Sequence, residues 1–163
     1  MAELHRNFPP VVRKDTRLLV LGSLPGAVSL ARQRYYAHPQ NQFWRLIGAV
    51  LDRDIAALDY EARLAALLDA RVGLWDTVAA ATRQGSLDTA IRLHEASDLA
   101  ALIETLPELR AVAFNGGTSA KIGRGQLGDR PGLALIDLPS SSPAYTLAFE
   151  HKRQVWLALR TYV

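Results

Sequence analysis

Short apolar runs that end in glycine, proline or a polar residue alternate along this chain with segments of helical spacing. Residues 17–22, RLLVLG, form a continuous apolar run closed by glycine, the pattern of a strand buried on both faces. In QFWRLIGAVL, 42–51, the apolar positions recur with helical spacing, and Asn41 stands where a helix N-cap belongs. LDYEARLAALLDA, 58–70, predicts a second amphipathic helix. VGLWDTV, 72–78, predicts a strand whose polar end belongs to a loop, and DLAALIETLP, 98–107, a helix stopped by Pro107. RAVAFNG, 110–116, predicts a third strand followed by glycines, and LALIDLPS, 133–140, a fourth broken by Pro139. TLAFEHKRQVWLALRTYV, 146–163, closes the chain as a helix.

Apolar strands alternating with helices imply a mostly parallel, four-stranded sheet covered on both faces. The expected fold is α/β: one three-layer α/β/α sandwich spanning residues 1–163, with no repeat, low-complexity tract or linker. Ligands of such sheets bind beyond the carboxyl ends of the strands. Those ends carry residues 23–26, 76–77, 115–117 and 139–142, so four polar or glycine-rich clusters converge on one edge.

Composition narrows the chemistry. The 163 residues carry no cysteine, which excludes disulfides, thiolate metal sites, iron–sulfur clusters and cysteine nucleophiles. His5, His38, His94 and His151 are too scattered to point to a zinc site, and no metal is expected. Net charge is +3, carried almost wholly by arginine because Lys14, Lys121 and Lys152 are the only lysines, and this balance favours a polyanionic partner. Neither a signal peptide nor a long apolar run is evident, so a cytoplasmic protein without membrane contact is expected.

Each cluster has a plain structural reading beside a functional one. GSLPG, 22–26, reads as a tight strand-to-loop turn; it is neither a dinucleotide fingerprint nor a phosphate loop. In HPQNQFW, 38–44, Asn41 can cap a helix while Phe43 and Trp44 enter the core. Yet Tyr35, Tyr36, His38, Asn41, Phe43 and Trp44 crowd one long connection, and rings interleaved with amides are how a flat base is held and read. LPSSSPAYT, 138–146, either caps a helix through Ser142 with Pro143 in its first turn, or grips phosphates with hydroxyls and backbone N–H groups. FNGGTSAKIGRG, 114–125, reads as a flexible surface loop in its distal part, whereas Asn115 at the strand end can read a base edge. Asp76 is by default a cap or a solvated turn residue.

Together, VLGSLPG, YYAHPQNQFW and LPSSSPAYT resemble the uracil-DNA glycosylase superfamily, and most closely its deoxyinosine (hypoxanthine) DNA glycosylase branch. The likeness runs in order from the first strand to the last helix. It implies the three-layer fold and an enzyme that flips a deaminated base out of DNA and hydrolyses its bond to the sugar, leaving an abasic site without metal or organic cofactor. Many relatives place Asp or Asn, which serves the attacking water, where this chain has Leu24, and a leaving-base histidine where it has Leu138. The resemblance therefore assigns catalysis to Asn41, whose neutral amide can orient water beside a developing sugar cation. It implies base contacts from Gly22, Ser23, His38, Phe43, Asp76 and Asn115, with Phe43 as stacking face and Trp44 as core. DNA contacts fall to Ser140, Ser141, Ser142 and Lys121, and Tyr145 is the side chain that enters the vacated stack. Lys121 is not placed as a Schiff-base nucleophile, so a monomeric, monofunctional glycosylase is expected. The alternatives are a uracil or mismatch-specific glycosylase and, in another class, a non-catalytic nucleotide- or DNA-binding module on the same fold.

Overall fold

The computed structural model describes residues 4–82 and 92–163. Its centre is a four-stranded sheet built from β2 (Leu18–Gly22), β3 (Val72–Asp76), β6 (Ala111–Asn115) and β7 (Ala134–Leu138), in the order β3-β2-β6-β7. Every neighbouring pair is parallel. The two central strands alternate between two apolar cores: Leu18 and Val20 face one side, Leu19 and Leu21 the other, and all four are fully buried. Ala111 and Ala113 join the first core, while Val112 and Phe114 join the second.

Helices cover both faces. On the first lie α2 (Phe43–Leu51), α3 (Tyr60–Asp69) and α6 (Phe149–Trp156), which bring Phe43, Trp44, Leu67 and Trp156 onto the sheet. On the second lie α4 (Leu99–Glu104) and α5 (Gly117–Leu127), through Leu99 and Leu127. The three-layer expectation holds. The four expected strands are present within a residue or two of their expected ends, and the last helix begins later than expected because residues 142–145 are bound into turns.

Three elements depart from the sequence reading. The polar end of the 72–78 segment is not a loop. Asp76 and Thr77 are buried, and the chain runs on into β4 (Val78–Thr82) because the Thr77 and Val78 N–H groups donate to the Gly22 and Ser23 carbonyls at 2.8 and 2.9 Å. Strand β4 then forms a second, antiparallel sheet with β1 (Leu4–Arg6) and β5 (Arg92–Ala96). Its VAAAT sequence lacks the β-branched alternation that marks a strand, so tertiary pairing makes it one. The third departure is α5, expected as flexible loop. Glycines weaken its helix propensity, but a Cβ on Gly123 would stand 2.9 Å from Phe114 Cδ1 and closer still to Cε1, so the glycine is what lets this helix lie against the sheet.

Gly123→Ala should therefore destabilise the fold by about 1–3 kcal/mol through overpacking, against a helix-propensity gain of about 1 kcal/mol. Chemical denaturation reads this as a lower midpoint; a raised midpoint would show that the contact is not limiting.

Candidate active site at the strand tips

Strand β2 delivers Gly22 opposite Asp76 of β3, and β6 delivers Asn115 opposite Leu138 of β7. Gly22 sits where no side chain fits: a Cβ there would be 2.7 Å from Asp76 Oδ1 and 3.1 Å from the Tyr36 hydroxyl. The missing methyl thus lets a buried carboxyl and a phenol converge on the first strand tip. Ser23 and Leu24 are buried beside them, and Leu24 packs with Val78, Ala81 and Ile122 under β4. Leu138 is likewise core. Both apolar departures from the family pattern are therefore packing positions.

The connection after β2 is held rigid throughout. Helix α1 (Ala27–Arg32) ends at Gln33 in the left-handed region, the Ser29 hydroxyl oxygen accepts from the Ala37 N–H at 2.9 Å, and the Tyr35 hydroxyl donates to the Pro9 carbonyl at 3.0 Å. Burial, with a smaller contribution from the Asp76 charge, keeps the Tyr35 phenol far above its ordinary pKa, so it remains a neutral anchor. Tyr36 adopts φ 51°, a strained conformation for a bulky residue, and the Trp44 indole N–H donates to its carbonyl at 3.2 Å. Its ring stacks on Phe43 with centroids 4.0 Å apart and planes 20° apart.

That stack corrects the assignment of Phe43. Phe43 has no exposed surface; it lies under Tyr36 and meets Trp44 and Trp156 edge-on. Of the two stacked rings, Tyr36 is the one that is partly exposed at the strand tips. Sequence spacing alone could not rank the two rings, although the αL backbone and the neighbouring Gly22 explain why Tyr36 turns outward.

Asn41 is partly exposed at the entry to α2, one position before the capping residue. The capping residue is Gln42, whose N–H is drawn to the Ser141 carbonyl at 3.0 Å, so the helix starts at Phe43 rather than at 42. The Asn41 Oδ1 accepts from the Phe43 N–H at 2.9 Å, an Asx turn that fixes the amide at the entry to α2. His38 is exposed and buttresses the same turn: its Nδ1 accepts from the Gln40 N–H at 3.1 Å and its carbonyl from the Asn41 N–H at 3.0 Å.

Asn115, expected at a base edge, is hydrogen-bonded within the protein here. Its Oδ1 accepts from the Ser141 N–H at 2.9 Å, and its Nδ2 donates to Ser141 Oγ at 2.9 Å and to the Tyr36 hydroxyl at 3.3 Å. Both its N–H donors and one oxygen lone pair join β6 to the loop after β7 and to Tyr36. Ser141, expected to contact DNA, is 1% exposed and enclosed in that clamp in this structure. The expected nest of backbone N–H groups is absent as well, because those of Ser142, Ala144 and Tyr145 bond to Ser140 Oγ, Ser142 Oγ and the Ser142 carbonyl. The hydroxyls of Ser140 and Ser142 accept in those bonds and keep their protons for an outside acceptor. Tyr145 is 48% exposed beyond them, and Lys121 is exposed on α5.

A cavity of about 360 Å³ lies elsewhere, between α2, the 3₁₀ turn Ile55–Ala57 and α6, and includes none of the expected site residues. Among the described residues no three His, Asp or Glu side chains gather as a metal cluster, and no helix is long and apolar enough to cross a membrane.

Asn115→Ala should destabilise the fold by about 1–3 kcal/mol, because the buried Ser141 N–H loses its partner. The same change should raise amide exchange at Gln42 and Ser141; unchanged exchange there would mean that the two loops are held independently.

Comparisons with known proteins place the chain in a family. A family model of the Uracil DNA glycosylase superfamily matches residues 9–160. The chain is 42% identical over 116 residues to the hypoxanthine DNA glycosylase of Methanosarcina barkeri, covering 71% of this chain and 73% of that one. It is 37% identical over 159 residues to the hypoxanthine DNA glycosylase of Methanosarcina acetivorans, covering 96% and 98%. The solution NMR structure of a candidate uracil DNA glycosylase from Methanosarcina acetivorans matches with a TM-score of 0.87 at 36% identity, over 98% of this chain and 99% of that one. With the family match spanning nearly its whole length, the chain belongs to the uracil DNA glycosylase superfamily.

Proposed function

We propose that this chain excises hypoxanthine from DNA containing deoxyinosine, by hydrolysis of the N-glycosidic bond, and leaves an abasic site. The observation that carries the reading is a neutral amide, Asn41, fixed at the edge of a crevice fronted by the Tyr36 ring, in a chain whose relatives bear that activity in their names.

Extruding the base costs a few kcal/mol and is easiest where pairing is already poor, as at a deaminated base. The extruded purine stacks on Tyr36, which Phe43 braces from behind. Its edge points to the crevice floor, where Asp76 is 3% exposed beside Gly22. Hypoxanthine presents an N1–H donor that a carboxylate accepts, whereas adenine presents an acceptor at that position and two facing acceptors repel.

Bond cleavage then needs no strong base. As the bond to N9 lengthens, its electron pair moves onto the purine and the sugar becomes cationic. Asn41 Oδ1 keeps one lone pair after accepting from Phe43, and holds a water against C1′. The water oxygen bonds to C1′ and its proton passes to solvent, while the departing purine takes up a proton. An amide suits this dissociative path because it orients water through position rather than by removing a proton early. Ser140 and Ser142 hydroxyls, with Lys121, hold the DNA backbone, and Tyr145 enters the gap left by the base.

Single-turnover release from otherwise identical duplexes bearing deoxyinosine or deoxyuridine tests the substrate. Deoxyinosine should be opened faster; preference for uracil would replace the substrate assignment with the uracil-acting one, to which the similar NMR structure lends weight.

Asn41→Ala should lower the single-turnover rate by about 100-fold or more, as removal of a well-placed transition-state group does elsewhere. Affinity for a duplex with an abasic-site analogue should stay within about threefold of the unmodified protein, a change worth well under 1.4 kcal/mol. Near-normal cleavage would remove Asn41 from catalysis.

The two stacked rings should separate cleanly. Tyr36→Ala leaves a folded protein with weak retention of the extruded base, whereas Phe43→Ala loses about 3–5 kcal/mol of stability as a core truncation. Paired unfolding and stopped-flow base-flipping measurements distinguish these outcomes; a stable Phe43→Ala protein with defective flipping would restore Phe43 as the platform.

A further inference from the structure

Lys152 is 1% exposed on α6, a rare state for a lysine without a carboxylate beside it. Its Nζ donates to the Ser142 carbonyl at 3.2 Å and lies 5.4 Å from the centre of the Tyr145 ring. Burial lowers its pKa, and among the described residues no carboxylate opposes that shift. An apolar side chain of similar length would fill the same space without desolvating a charge. The charge itself therefore calls for a role.

The loop on which it acts supplies one. Residues 139–145 follow the tip of β7 and leave Ser140 and Ser142 partly exposed, while the N–H groups of Ser141, Ser142, Ala144 and Tyr145 are engaged inside the protein. Two neutral hydroxyls alone make a weak anion site. A cation one carbonyl behind them, kept from water, acts through a medium that screens it little.

We propose that Lys152 is a positioning residue that supplies the positive charge of a phosphodiester site formed by Ser140 and Ser142, and that it sets the Tyr145 ring for entry into the DNA stack. The inference rests on the reading of loop 139–145 as a DNA contact. The phosphate bonds to the two hydroxyls, and the ammonium stabilises it from beneath while gripping the Ser142 carbonyl. Tyr145 lies with its ring over the same cation, so charge and ring posture are set by one side chain.

The test measures affinity of the whole protein for a duplex with an abasic-site analogue over a series of salt concentrations. Lys152→Gln keeps a donor toward Ser142 without the charge, Lys152→Met removes both, and Lys152→Arg keeps the charge. The Gln and Met variants should bind about tenfold more weakly at low salt, and the slope of log K against log salt should fall by about one; Arg should retain the slope. A Gln variant that keeps the unmodified slope overturns the proposal, even if the Met variant is too unstable to measure. Unmodified protein that binds the abasic duplex no better than plain duplex would defeat the reading of the loop itself, a result separable from the first because it appears before any variant is made.

Discussion

The side-chain amide of Asn115 holds both the N–H and the hydroxyl of Ser141, and the geometry of the strand tips depends on that pair. Ser141 in turn accepts the Gln42 N–H through its carbonyl, so the connection after the first sheet strand and the loop after the last are tied through one residue. The remaining Asn115 proton reaches the Tyr36 hydroxyl. One buried amide thereby ties together the Tyr36 ring, the turn that leads into α2 and the loop after β7. Such a network is rigid because it is fully satisfied; in a low dielectric each broken member would leave an expensive unpaired group.

Around this clamp the site is built largely from neutral groups. The positions where many relatives carry a water-serving acid or a leaving-base histidine hold Leu24 and Leu138, and both belong to apolar cores. Their packing accounts for the apolar side chains at these two positions. Beside them an Asx turn fixes the Asn41 side-chain carbonyl, and the Trp44 indole braces Tyr36 at its positive φ. Asp76 and Lys152 are the buried charges here, one at the crevice floor and one beneath the loop.

The sheet, its parallel order and its major helices were legible because long apolar runs and helical periodicity dominate those segments. The motif put Asn41 at the entry to a helix, where the structure has it one position before the cap of α2. The rest was hidden for identifiable reasons. Helix α5 looks like a loop by composition, and only the approach of Phe114 to Gly123 makes it a helix. Strand β4 is alanine-rich and takes its state from partners distant in sequence. The exchange of Phe43 for Tyr36 turns on which of two rings lies uppermost, and Asn115 on whether its hydrogen bonds point inward; neither leaves a trace in spacing. Lys152 sits in a segment that reads as an ordinary amphipathic helix, and only burial singles it out.

The account is tested most directly by the structure of the complex with a duplex carrying a deoxyinosine analogue fluorinated on its sugar, which resists cleavage. The purine should lie against the outer face of Tyr36, its N1 edge toward Asp76, with the Asn41 amide within hydrogen-bond reach of a water near C1′. A base lodged in the cavity between α2 and α6, or a Tyr36 displaced so that the purine rests on Phe43, would contradict it.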